Sequence, residues 1–264
     1  MKEVDVSVCK KQICNILINI DNFCRNHSIC YSVAYGTLIG AIRHKGFIPW
    51  DDDIDIIMKR EDYEKFMCSY NDPYYELIKE NNVPNHLHSR VADPSLRLEF
   101  TNSLRANKIY KSGVWVDVFP IDKVPEDTNE YWKVKKRIRQ LFLIICASEV
   151  KGYNWIQNIA HLLLFPFTGI LTRIAQKEAK KYNGSNSNMG GALCVWHKNF
   201  PPFPLSYMDE YVDVEFEGHS FKAIKQYDAF LRSVYGDYMQ LPPENQRIAH
   251  HFYKAFRRSE KDNI

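Results

Sequence analysis

Residues 51–58 read DDDIDIIM, four carboxylates within five positions running straight into an apolar segment. Pro49 disfavours helix just before the run, while Ile54, Ile56 and Ile57 favour a strand. Alternate side chains of an extended chain share a face, so Asp53 and Asp55 fall on one side and Ile54 and Ile56 turn to a core on the other. Two like charges about 4 Å apart repel by roughly 4 kcal/mol at an effective dielectric near 20, so this strand needs a positive partner. A divalent ion is the simplest one, since Mg2+ takes hard oxygen ligands, usually one or two carboxylates together with substrate phosphates. The plainer alternative is an acidic surface loop, with Asp51 and Asp52 shaping the turn or standing behind the site.

The neighbouring segments extend the pattern. "ICYSVAYG" has strand composition and stops at Gly36, and "TLIGAIRHK" has helical spacing and ends at Gly46. Gly36 and Thr37 then open a helix, where backbone N–H groups and a hydroxyl can cradle a phosphate. Arg43, His44 and Lys45 close it, either neutralising phosphate oxygens or complementing the helix dipole as a solvated end. A third carboxylate, Asp117, lies in the apolar strand "GVWVDVFPI", where an unpaired charge is costly. It either joins the other two or pairs with an arginine such as Arg90 or Arg97. In the first case the set suits one or two Mg2+ ions, or Mn2+ in their place, and displacement at phosphorus, with Asp117 also taking a proton from the attacking hydroxyl.

Elsewhere the spacing predicts a helix over Val8–Cys24, another over "REDYEKFMCSY", and two short strands about the Asp-Pro turn of "HLHSRVADPSLRLEF". The middle of the chain differs in character. "YWKVKKRIRQLFLIICASEV" sets five basic residues ahead of an apolar helix, and "WIQNIAHLLLFPFTGILTRIAQ" is apolar but broken by Pro166 and Gly169. It lacks the run of about 18 apolar residues that a spanning helix needs, so it packs on the core or also dips into a membrane interface. "YNGSNSNMGG" reads as a flexible loop suited to a lid.

With 264 residues the chain suits one structural unit: a core over 1–130, a helical and possible membrane-facing insertion over 131–182, and a part over 183–264 that returns to the core. A net charge of +3 excludes wholesale binding of nucleic acid. The N-terminus lacks a secretory pattern, which makes a cytoplasmic place the expectation, with peripheral contact at the inner face of the cytoplasmic membrane. Seven cysteines without a CxxC pair read as structural thiols.

Three blocks carry a family resemblance: "AYGTLIGAIRHKGFIPWDDDIDI" from Ala34, "VWVDVFPID" from Val114 and "YDAFLRSVYGDYMQLPPENQR" from Tyr227. At these residues the chain resembles the LicD family, phosphorylcholine transferases of bacterial surface polysaccharides whose eukaryotic relatives include fukutin and fukutin-related protein. The resemblance implies an α+β fold with a nucleotidyltransferase (polymerase-β-like) core, a mixed sheet flanked by helices. It implies transfer of a phospho-alcohol from CDP-choline or another CDP-alcohol to a glycan or glycolipid hydroxyl, as in lipopolysaccharide, with release of CMP. By motif match it implies Asp53, Asp55 and Asp117 as metal and catalytic residues, and Gly36, Thr37, Arg43, His44, Lys45 and Arg90 as substrate-binding. Nucleotidyl transfer from an NTP uses the same metal site and stays open as an alternative, as does a relative that binds glycan or nucleotide without turnover. Where relatives often carry proline before the "YD" helix, this chain has Ile224, Lys225 and Gln226.

Overall fold

A computed structural model describes residues 2–80, 87–100, 113–149, 155–195, 200–247 and 253–258. Helix α1 (Val6–Asn26) starts where the Asp5 side chain accepts from the Ser7 amide at 2.8 Å. It buries the stripe Cys9, Ile13, Ile16, Leu17, Ile20 and Cys24 predicted from spacing. The buried thiols behave as small hydrophobes: burial pushes Cys9 and Cys14 each up to about 11.

The chain builds a mixed sheet in an α+β arrangement. Its central path is β2 (Ser32–Val33), β3 (Asp55–Lys59), β7 (Trp115–Lys123), β5 (Ser89–Ala92) and β4 (Glu76–Ile78), extended by β8 (Met189–Gly191) on β7 and β9 (Phe203–Pro204) on β8. Only β3 and β7 run parallel, with Asp55 in register with Asp117; the other pairings are antiparallel. Ile54 and Ile56 reach the core as expected, but Ile57 and Met58 are fully buried as well. The strand lies inside the sheet, with the short helix α2 (Tyr35–Ile39) and helix α3 (Arg60–Ser69) both packed on it, so its middle three side chains are all buried while Asp55 and Lys59 at its ends are half-buried.

The two strands of the Asp-Pro segment part company. While β5 joins the main sheet, β6 (Leu96–Phe100) pairs with β12 (Tyr253–Arg257), which in turn pairs with β1 (Lys2–Val4). A hairpin of β10 (Tyr211–Phe216) and β11 (His219–Ile224) turns through Glu217 and Gly218, both at positive φ. Glu217 accepts from the Phe47 amide at 3.0 Å and so anchors the segment leading into the aspartates.

Helix α4 (Thr128–Glu149) leaves the sheet, and α5 (Trp155–Leu164) and α6 (Thr168–Ala179) pack against it. Their shared core is a small cluster with Tyr131, Val134, Ile138, Ala175 and Ala179, at the end nearest the sheet. The segment 182–191 is no loose lid. Asn183 donates to Asp122 at 2.7 Å and accepts from the Lys123 amide at 2.8 Å, and Gly190 and Gly191 pair with the end of β7. Glycine is required at 191, where a Cβ would lie 2.8 Å from the Tyr131 ring. Among the described residues no helix is long and apolar enough to cross a membrane.

Candidate active site

The aspartate run divides by parity. Asp51, Asp53 and Asp55 line a cavity of about 700 Å³, while Asp52 is buried on the other side beside Tyr253 of β12. An extended chain alternates its side chains, so three of the four carboxylates meet one space. Asp51, read from sequence as a turn or supporting residue, therefore belongs to the cavity wall. Its carboxylate sits against the first turn of α2, where a Cβ on Gly36 would fall 2.5 Å from Asp51 Oδ2. Only glycine leaves that space.

The sheet delivers the fourth carboxylate, Asp117, whose amide donates to the Ile54 carbonyl at 2.9 Å. Its Oδ2 accepts from Trp115 Nε1 at 2.9 Å, and its Oδ1 accepts from Arg90 Nε at 2.5 Å and lies 2.9 Å from His88 Nε2. The arginine pairing left open by the sequence is thus made by Arg90, not by Arg97, which pairs with Glu99. Arg90 in turn lies over the Trp115 ring, 4.2 Å from its centroid. Burial first, then the charges of Asp53, Asp117 and Asp51, hold the Asp55 carboxyl well above the usual range, with Arg90 opposing them.

The remaining sequence candidates separate. Gly36 and Arg43 line the cavity; Thr37, His44, Lys45 and Arg90 stand outside its lining. Thr37 is buried behind the site, where its hydroxyl accepts from the Asp55 amide at 2.9 Å and pins the start of β3. Helix α2 passes into a π-helical turn (Gly40–His44), capped by exposed Lys45 in the left-handed conformation. Arg43 donates through Nη1 to the carbonyls of Tyr238 and Gln240, and through Nε to His44 Nε2 at 3.0 Å. Burial and the adjacent Arg43 lower the His44 pKa, which suits a neutral ring accepting that bond.

Sequence reading gave no place to the aromatic wall. Tyr35, Trp50, Phe119, Phe200, Tyr235 and Tyr238 line the same cavity as the carboxylates, Phe119 two residues along β7 from Asp117. Tyr35 has positive φ, costly for a bulky residue, and stacks on Phe200 at 4.6 Å with an interplanar angle of 19°. Its buried hydroxyl has no hydrogen-bond partner among the described residues. All but Phe200 lie inside the three blocks that carry the family resemblance, yet abundant aromatics carry no signal of which ones share a cavity.

Among the described residues no three His, Cys, Asp or Glu side chains are grouped to hold a metal ion by themselves. The donor chemistry still fits a hard cation: Asp53 and Asp55 offer carboxylate oxygens, and the crowding that raises Asp55 is relieved by positive charge.

An α+β domain with acidic side chains gathered at the start of a parallel strand pair, in a cavity that aromatic rings also line, is the class these features define. Residues 28–142 match the family model described as the LicD/FKTN/FKRP nucleotidyltransferase domain. The lipopolysaccharide cholinephosphotransferase LicD of Haemophilus influenzae is 31% identical over 255 residues, covering 92% of this chain and 94% of that protein. An uncharacterised protein of Rickettsia typhi is 38% identical over 60 residues, 22% of this chain and 19% of its own. Another, of Rickettsia prowazekii, is 53% identical over 36 residues, 14% of each chain. The chain belongs to the LicD family.

Proposed function

We propose that this protein transfers phosphocholine, or a closely related phospho-alcohol, from a CDP-alcohol to a hydroxyl of a lipopolysaccharide-type glycan, on a nucleotidyltransferase-like core. The observation that carries this reading is one cavity lined by both carboxylates and aromatic rings. Near full-length similarity to a lipopolysaccharide cholinephosphotransferase supports it.

Asp53 and Asp55 would hold Mg2+ or Mn2+ together with the donor's phosphates, with Asp117 as the third acidic group. When bound, the ion would neutralise phosphate charge and assist the leaving group. Trp115, His88 and Arg90 fix the Asp117 carboxylate, as ligating carboxylates are themselves held by hydrogen bonds. The acceptor oxygen bonds to the phosphorus that bears the alcohol, and the bond from that phosphorus to the bridging oxygen breaks. CMP carries off that electron pair, and the hydroxyl proton passes to Asp117. A quaternary ammonium suits the faces of Tyr35, Phe200 and Tyr235.

Incubation with CDP-choline, CDP-ethanolamine and CDP-ribitol, with Mg2+ and a lipopolysaccharide acceptor, tests this. CMP should appear only when acceptor is present, fastest from CDP-choline. Pyrophosphate from an NTP, or a nucleoside diphosphate from any donor, as the sole product would replace the reading with nucleotidyl transfer or another chemistry.

A further inference from the structure

Helices α4 and α6 run antiparallel: Glu130 in the first turn of α4 accepts from Tyr182, just past α6, at 2.6 Å, and Arg137 midway along α4 pairs with Glu178 near the end of α6 at 2.6 Å. Just past α6, Lys180 reaches Glu64 of α3 at 2.7 Å, which fixes this end of the helical arm against the sheet. Exposed basic residues collect here: Lys133, Lys136 and Arg137 on α4, and Arg173 and Lys177 on α6.

The far end has the opposite character. Trp155, Leu162 and Leu163 of α5 are 70%, 74% and 61% exposed, and Phe165 and Phe167 of the following turn and Ile170 of α6 are exposed beside them. Along α4 the exposed face changes from the basic residues to Leu143 and Ile144 within two turns. Between Arg139 and Arg173 the sequence has one acidic residue, Glu149. The arm is therefore apolar at its tip and basic at its collar.

We propose that this tip seats in the interfacial layer of an anionic membrane, with its apolar side chains at the acyl boundary and the collar among the headgroups. Interfacial helices bind by this combination of apolar burial and attraction of basic residues to anionic lipid. Charge favours a membrane over a second copy of the chain: a two-fold contact brings the same patch of each copy together, setting collar against collar. The inference stands on the arm alone; under the transfer reading it adds that the acceptor is met at the membrane.

Flotation of the full chain with phosphatidylcholine vesicles, with and without phosphatidylglycerol, tests it without any substrate. Binding should require phosphatidylglycerol and weaken as salt is raised. The double variant Leu162→Glu, Leu163→Glu should lose about tenfold or more in vesicle affinity. Lys136→Glu with Lys177→Glu should lose roughly fivefold for each basic charge removed. Both variants should melt at the wild-type temperature, since the altered side chains lie outside the core, and should still release CMP with a water-soluble acceptor fragment. That second readout separates failure here from failure of the transfer reading. No binding to anionic vesicles, or undiminished binding by the leucine variant, overturns the proposal. A wild-type dimer that the leucine variant splits, seen by sedimentation velocity without vesicle binding, would assign the tip to a second copy.

Discussion

The parallel strand pair at the cavity and the tip of the helical arm treat apolar surface and charge in opposite ways. At β3 and β7 every aliphatic side chain is covered and charge is drawn inward, into a cavity lined by Asp51, Asp53, Asp55, Asp117 and, from the C-terminal part, Asp237. At the tip the aliphatic side chains face outward, and the nearby charges lie on the surface, where ion pairs contribute little. The contrast shows where each region waits for a partner. The cavity holds more negative than positive charge, and the arm lacks an apolar cover.

The largest effect should come from Asp55→Asn, which removes a proposed metal ligand and relieves crowding. CMP release should fall roughly a hundred- to a thousandfold while the thermal melting temperature is kept or raised. A variant that unfolds would break the view that the cavity wall is held against its own repulsion.

Next is the joint between the regions. Asp122 is fully buried, accepts from Arg60 Nε and Nη2 at 2.7 Å each, and also binds Asn183. Asp122→Ala leaves a buried guanidinium unpaired and should cost about 3–5 kcal/mol in urea unfolding. Matched truncations sharpen the comparison directly: Ile56→Ala should cost about 2–5 kcal/mol, and Leu162→Ala no more than about 0.5 kcal/mol. Similar losses at both positions would mean that the tip is packed in solution.

A pH-dependent effect belongs to Lys135, buried at the root of the arm against the Ala192 and Phe200 carbonyls. Burial lowers its pKa from an ordinary 10.5 to about 7. Between those values the unfolded lysine binds a proton that the native one does not. Stability from this group therefore rises with pH from about 7 to 10.5, by at most about 1.4 kcal/mol per unit, and is flat below that window. Urea unfolding at several pH values should show this slope in the wild type and its loss in Lys135→Met.

Much of this was legible because period and composition act locally. The apolar stripe of α1, the strand at Ile54–Ile57 and the lone carboxylate in β7 follow from neighbours in the chain. What escaped depends on distant closure. Nothing near Asp52 signals that Tyr253 will stand beside it, and nothing near Arg60 announces Asp122. His88 and the aromatic wall meet the carboxylates only after the chain has folded back on itself. The polar composition of 182–188 read as mobile, yet Asn183 and Ser187 use that polarity to bind the end of β7.

The parallel register of Asp55 and Asp117 has a consequence for the order of events in folding. Their strands are separated by more than fifty residues, and no hairpin can join them, so Asp117 reaches the acidic run only through long-range closure. The contact that makes the site is also one of long sequence separation, and its closure brings like charges together at the moment the loop entropy is lost. The acidic run alone thus supplies Asp51, Asp53 and Asp55, and Asp117 joins them only when β7 pairs with β3.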